Sequence, residues 1–171
     1  MLHYATLAEE LGIELFCIGC EMLATEHRKY QWLYVIEQVR KVYSGKLIYN
    51  TNHDHEDVCE WFDVLDYIGT SAYYPVGKYG TDAAAMKKEW NEIRWRLNAI
   101  SDSRGKPYVF MEIGCRSELG CSGYPYDFED WKTDKSKWSE DEQATFYETC
   151  LDVFLNEPRF AGVFWWEWPV T

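Results

Sequence analysis

Apolar and polar positions along the chain switch repeatedly between a helical and an extended period, which predicts helices and strands in alternation. Residues 4–11 read as a helix stopped by Gly12, and 14–19 as an apolar run with the look of a buried strand. Over 31–43, Trp32, Val35, Ile36, Val39 and Val42 share one helical face, and Ser44-Gly45 ends the pattern. A short strand over 46–50, a helical turn over 55–62 and a strand over 64–72 follow; Tyr73-Tyr74-Pro75 closes the last, since proline has no N–H for a ladder. The longest helical pattern, 82–100, puts Ala84, Met86, Trp90, Ile93, Leu97 and Ile100 on its buried stripe, and Trp32, Trp90 and Trp95 read as core rings. Lys106-Pro107 leads into a strand over 108–113. The polar, glycine- and aromatic-rich loop 114–140 comes next, and loops of that length usually bind something. A helix over 141–155 and a strand over 160–166 complete the series.

Strands separated by helices imply βαβ units, hence a parallel sheet with right-handed crossovers. Two architectures fit: an open doubly wound sheet and a (β/α)8 barrel. No strand leads into a glycine-rich phosphate turn, which weakens the nucleotide-binding version and with it an α/β domain for an anionic cofactor. Carboxylates and aromatic rings follow the strands instead, the pattern of a barrel's C-terminal face. The chain has 171 residues, enough for one domain, whereas a complete barrel takes about 250. The expectation is an α/β fold comprising part of a TIM barrel, 1–171 forming a single incomplete domain.

Net charge narrows the partners. Twenty-nine acidic against 17 basic side chains leave −12, a surface that repels phosphate backbones and anionic lipid, so neither nucleic acid nor membrane is expected as a partner. No apolar stretch approaches the ~20 residues of a membrane span, and the N-terminus runs into a helical pattern with no signal peptide. Six cysteines in a chain this rich in core residues are read as free thiols, although Cys115 and Cys121 flank a short loop and are placed to bridge under oxidising conditions. Cys17 and Cys20 form a CxxC within a strand, where residues three apart face opposite ways, so no metal or other cofactor is assigned.

The chemistry concentrates at strand ends. Glu21 follows Ile18-Gly19-Cys20 directly, and Glu112 ends Val109-Phe110-Met111. A carboxylate at the end of a buried strand is costly unless partnered, and two of them converging on one cleft are what glycoside hydrolysis requires. The structural alternative has each glutamate capping a helix or pairing with an arginine such as Arg116. Rings collect at the same ends, in Tyr73-Tyr74 and in Phe164-Trp165-Trp166, and sugar C–H faces pack on such rings. Strand alternation sends Trp165 and Trp166 to opposite sides, so at most one faces a barrel interior. Asn50, Asn52 and His53, just past another strand, are candidates for hydrogen bonds to sugar hydroxyls or to a catalytic carboxylate.

These stretches, in order, resemble the C-terminal two thirds of glycoside hydrolase family 113, the retaining β-mannanases of clan A, and the related TIM-barrel domains of gene-transfer-agent and phage-tail proteins. The likeness rests on Phe16-Cys17-Ile18-Gly19-Cys20-Glu21, on Lys46-Leu47-Ile48-Tyr49 with Asn50 and Asn52, on Ala72-Tyr73-Tyr74-Pro75, on Met111-Glu112-Ile113-Gly114-Cys115-Arg116 and on Gly162-Val163-Phe164-Trp165-Trp166-Glu167-Trp168. It implies barrel strands four to eight, Glu21 as acid/base and Glu112 as nucleophile. Tyr73 would hydrogen-bond the nucleophile, Trp166 (or Trp165) would form the platform under the sugar, and Arg116 would shape neighbouring subsites. The implied ligand is a β-1,4-glycan, above all mannan; the alternative is a non-catalytic carbohydrate-binding or phage-tail-associated barrel domain. The chain departs from the family at Cys20, where a small hydroxyl residue is usual. Nothing in it matches strands one to three, so a missing N-terminal barrel segment or self-association is expected to close the sheet.

Overall fold

A computed structural model describes residues 1–77, 82–127 and 137–167. Five strands, β1 (Leu15–Cys20), β2 (Lys46–Asn52), β3 (Tyr67–Ser71), β4 (Tyr108–Ile113) and β5 (Phe160–Trp165), form one sheet, and every pair is parallel. Their spatial order is their chain order. A doubly wound sheet reverses direction at a switch point; this one only adds strands on one side, as a barrel wall does. Among the described residues the sheet does not close, and β1 and β5 are its edges.

Helices α1 (Leu2–Glu10), α2 (Leu23–Glu26), α3 (Lys29–Arg40), α4 (Ala83–Arg104) and α5 (Glu140–Phe154) accompany the strands. Asp82 starts α4 by accepting the Ala84 and Ala85 N–H groups, and Gly105, at φ 64, ends it in the left-handed conformation that glycine adopts without strain. Ser139 caps α5 through the Glu142 N–H. The core lies between sheet and helices in two aromatic groups. Trp32, Tyr49 and Trp61 make one, with the two indoles stacked at 4.6 Å, and Trp90, Phe110, Phe146, Phe154 and Phe160 make the other. No helix among the described residues is long and apolar enough to cross a membrane.

Several elements differ from expectation. The turn expected over 55–62 is a run of bends ending in a 3-10 turn at Phe62–Val64, and β3 begins at Tyr67 because Asp66 turns back to accept the Leu47 N–H at 2.8 Å. Trp95 is not a core ring but 72% exposed. Five residues beyond buried Trp90, it has rotated some 140° off the apolar face at about 100° per residue. Ala84 is exposed too, and Ser101 joins the buried stripe. The short α2 had no sequence signal.

One buried and one partly buried carboxylate tie helices to strands. Glu157 is held by Asn98, Arg94 and Arg159, and Asp66 by Leu47, Arg40 and Lys46. Burial pushes both carboxyls up, but these hydrogen bonds and charges outweigh it and leave both below their ordinary values of 4.5 and 3.8. Their stabilisation is complete above about pH 5 and is lost as pH falls through the depressed folded values. The thermal midpoint is expected to drop with acidification below pH 4.5. The Asp66→Asn/Glu157→Gln double variant, less stable at pH 7, should show a flatter acid slope by calorimetry.

Candidate active site

Two strands gain a residue just before their terminal carboxylates. Cys17 sits opposite Ile48 and Cys20 opposite Asn50, so β1 has one residue more than β2 over this stretch. Thr70 pairs with Phe110 and Ser71 with Glu112, so β4 likewise has one more than β3. Such bulges re-aim side chains at barrel rims. The bulge in β1 also corrects the expectation that Cys17 and Cys20 face opposite ways, because their partners Ile48 and Asn50 share a face. Among the described residues no group of three or more His, Cys, Asp or Glu side chains is placed to hold a metal ion.

The re-aimed Glu112 carboxylate meets three donors. The Tyr73 hydroxyl donates to Oε2 at 3.0 Å, and Asn50 Nδ2 and the Cys20 thiol approach Oε1 at 3.4 and 3.6 Å. Asn50 Nδ2 also lies 3.0 Å from Ser71 Oγ and 3.3 Å from Cys20 Sγ, so four strand ends are joined in one network. Glu21 stands beside it, with its N–H donating to the Asn50 carbonyl at 2.7 Å. Its φ of 51 is a left-handed conformation that costs a non-glycine residue about 1 kcal/mol. Burial, then the Glu112 charge and hydrogen bond, then the Glu21 charge hold the Tyr73 phenol far above its usual range. Burial raises Cys20 as well; Asn50 opposes it, while the charges of Glu112 and Glu21 add to it, and the thiol is pushed up to about 11. Both carboxylates therefore act on the same phenol and the same thiol. Among the described residues, no lysine or arginine pairs with either glutamate, and Arg116 binds Glu118 at 3.4 Å instead.

The Cys20 shift has a direct consequence. Only about a thousandth of this exposed thiol is ionised at pH 8, so alkylation by iodoacetamide should be slow there and accelerate about tenfold per pH unit up to pH 10. Peptide mapping after timed alkylation checks it; a rate already level at pH 8 would contradict a thiol held protonated by partial desolvation beside two carboxylates.

The remaining candidates lie apart from that network. Asn52 ends β2 opposite Ser71, half-buried. His53 stacks on Tyr126 at 5.6 Å and meets Tyr74 edge-on, so two loops touch above the end of β3. Trp165 packs on Tyr147 of α5, and Trp165 and Trp166 together line a crevice with Gln143 and Tyr147 of that helix. Trp166, about half exposed, lines a crevice of about 470 Å³ with Arg116, Glu118, Trp138, Gln143 and Glu167. Sequence reasoning missed Ser71, Tyr126 and the Cys20–Glu112 contact. Ser71 carried a signal, a polar residue at the end of an apolar strand, while Tyr126 had none within its loop. Of the loop expected over 114–140, residues 128–136 lie outside the described residues, as does Trp168 of the family-like stretch.

A parallel barrel wall with one carboxylate just past β1 and another at the end of β4 is the frame of a TIM-barrel glycosidase. The family model for Glycoside Hydrolase Family 113 matches residues 1–171, and the chain belongs to that family. Among solved structures it is similar to the GH113 β-mannanase from Alicyclobacillus acidocaldarius, in complex with ManMIm, at 36% identity and a TM-score of 0.83. A second GH113 β-1,4-mannanase complex gives 31% and 0.81. Each match covers 98% of this chain and 49% of the other, so the chain spans about half of those proteins rather than two thirds. The β-glucuronidase of Faecalibacterium prausnitzii, at 18% identity and a TM-score of 0.64, covering 97% of this chain and 28% of that one, shares the fold. No curated protein matches the chain.

Proposed function

We propose that this glycoside hydrolase chain carries the catalytic carboxylates of a retaining enzyme for β-1,4-linked glycan, mannan before others. The observation that supports the reading best is the half-buried Glu112 carboxylate, held by Tyr73, Asn50 and Cys20 without a cation and acting with Glu21 on one phenol. Glu112 is the nucleophile: three donors fix its orientation, and Tyr73, itself held protonated, steadies the oxygen that attacks the anomeric carbon. Glu21 is the acid/base, protonating the leaving oxygen and then drawing a proton from water. The left-handed backbone at Glu21 favours a functional role, because strain of this kind is retained where geometry serves chemistry. Asn50, Asn52 and His53 contribute sugar hydrogen bonds, and the Trp166 ring a stacking face.

The open sheet favours a second component. Phe164, Trp165 and Trp166 are each 41–55% exposed along the β5 edge, so this chain binds glycan without turning it over until further strands close the wall. Assay of the chain alone and of a version extended upstream, on mannan, glucan and xylan, tests both points. The expected result is mannan hydrolysis by the longer form, lost in its Glu21→Gln variant, which with azide should still convert an activated aryl β-manno-oligosaccharide to the β-glycosyl azide. Glycan binding by both forms that is unaffected by Glu21→Gln or Glu112→Gln, without hydrolysis by either, would instead establish a carbohydrate-binding domain.

A further inference from the structure

Behind Glu112 the chain holds a pair of cysteines that the proposed hydrolysis does not use. Cys115 follows Ile113 and Gly114 out of β4, and Cys121 opens the 3-10 turn Cys121–Gly123. Both are buried, and the Cys121 thiol donates to Cys115 Sγ at 3.1 Å. The two ends of this loop are fixed independently. The first is continuous with β4. The second is clamped by buried Glu142, which accepts the Gly120 N–H, the Ser122 N–H and the Ser122 hydroxyl, while the Ser122 carbonyl accepts the Val76 and Gly77 N–H groups. Ser117, Leu119 and Gly120 between them are exposed. A disulfide has its sulfurs about 2.05 Å apart, so closing this pair takes a movement of about 1 Å.

We propose that Cys115 and Cys121 form a thiol–disulfide exchange site, oxidised by a small disulfide of the glutathione class to a bond that staples the loop behind Glu112. One cysteine loses its proton and attacks a sulfur of the oxidant, giving a mixed disulfide and releasing one thiol. The other loses its proton and attacks the protein sulfur of that mixed disulfide, forming the Cys115–Cys121 bond and releasing the second thiol. Two electrons pass to the oxidant, and the two protons end on the released thiols. The oxidant reaches the sulfurs by displacing the partly exposed segment 116–119. The Cys121 hydrogen bond and burial both hold Cys115 as a thiol, so exchange is faster at pH 9 than at pH 7. The bond fastens Arg116 and Glu118, which wall the crevice beside Trp166, to the strand that carries Glu112.

The test incubates the 171-residue chain with oxidised glutathione at pH 8.5 and compares it with a dithiothreitol-treated sample by intact mass, peptide mapping and thermal unfolding. The expected product is lighter by two hydrogens, carries a cross-link between the Cys115 and Cys121 peptides, and melts about 5 °C higher, since the bond restricts the unfolded chain. The Cys115→Ser variant should show neither the mass loss nor any oxidant-dependent melting shift. An unchanged mass, a glutathione adduct as the end product, a cross-link between Cys17 and Cys20, or a lower melting point on oxidation would each overturn the proposal. None of these readouts depends on hydrolytic activity.

Discussion

Glu112→Gln in a closed barrel is expected to lower kcat on β-1,4-mannan by on the order of 10⁴-fold while KM stays within about threefold. The amide matches the carboxylate in shape, still accepts the Tyr73 hydroxyl and leaves Asn50 bonded to Ser71, so only the long contacts to Oε1 are lost and the melting point hardly moves. The electron pair that attacks the anomeric carbon is what disappears. A structural carboxylate in this position would give the opposite pattern, a lower melting point with kcat largely intact. Steady-state kinetics and calorimetry on the same preparation separate the two.

Gly114→Ala is expected to destabilise the chain by about 3 kcal/mol, through overpacking at a point where nothing can yield. A Cβ at Gly114 would lie 1.9 Å from the Trp166 carbonyl oxygen, which is backbone and cannot rotate away. The Trp166 N–H already donates to the Ile113 carbonyl at 2.8 Å, so β4 and the end of β5 are locked at their closest approach. Relief requires parting the two strand ends next to Glu112. In a domain of this size the melting point should fall by about 9 °C. Gly123→Ala is the control: its Cβ would find nothing nearer than the Gly77 carbonyl oxygen at 3.7 Å, an ordinary contact, and should be nearly neutral. Equal melting points for the two variants would refute the close-approach account.

The strands were legible because a buried parallel strand is a short apolar run between breakers, and two of the runs carried a candidate carboxylate at the C-terminal end while others ended in an amide or an aromatic ring. Glu21, Glu112, Tyr73 and Asn50 could be picked out on that ground, and the structure groups them. What periodicity does not encode is a bulge. The extra residue in β1 turned Cys17 and Cys20 to one face and brought the Cys20 thiol to Glu112, where strict alternation expects neither. Buried polar anchors were equally hidden. Glu26, Glu56, Glu142 and Glu157 carry no local signal of burial, yet each is buried and held by hydrogen bonds from distant strands, turns or helices. A buried carboxylate is affordable only with such partners, and partners far apart in the chain leave no local pattern. Trp95 failed for a simpler reason, since its place on the helix was read from spacing too loose to exclude the outer face.

Central to all of this is that Glu21 and Glu112 act in turn on one glycosidic bond through a covalent intermediate. The anomeric form of the first-formed sugar tests that most directly, read by proton NMR in the opening minutes of mannan hydrolysis, before mutarotation mixes the signals. The β anomer is the predicted product; its α counterpart would mean single displacement by water and would contradict the roles given to both glutamates.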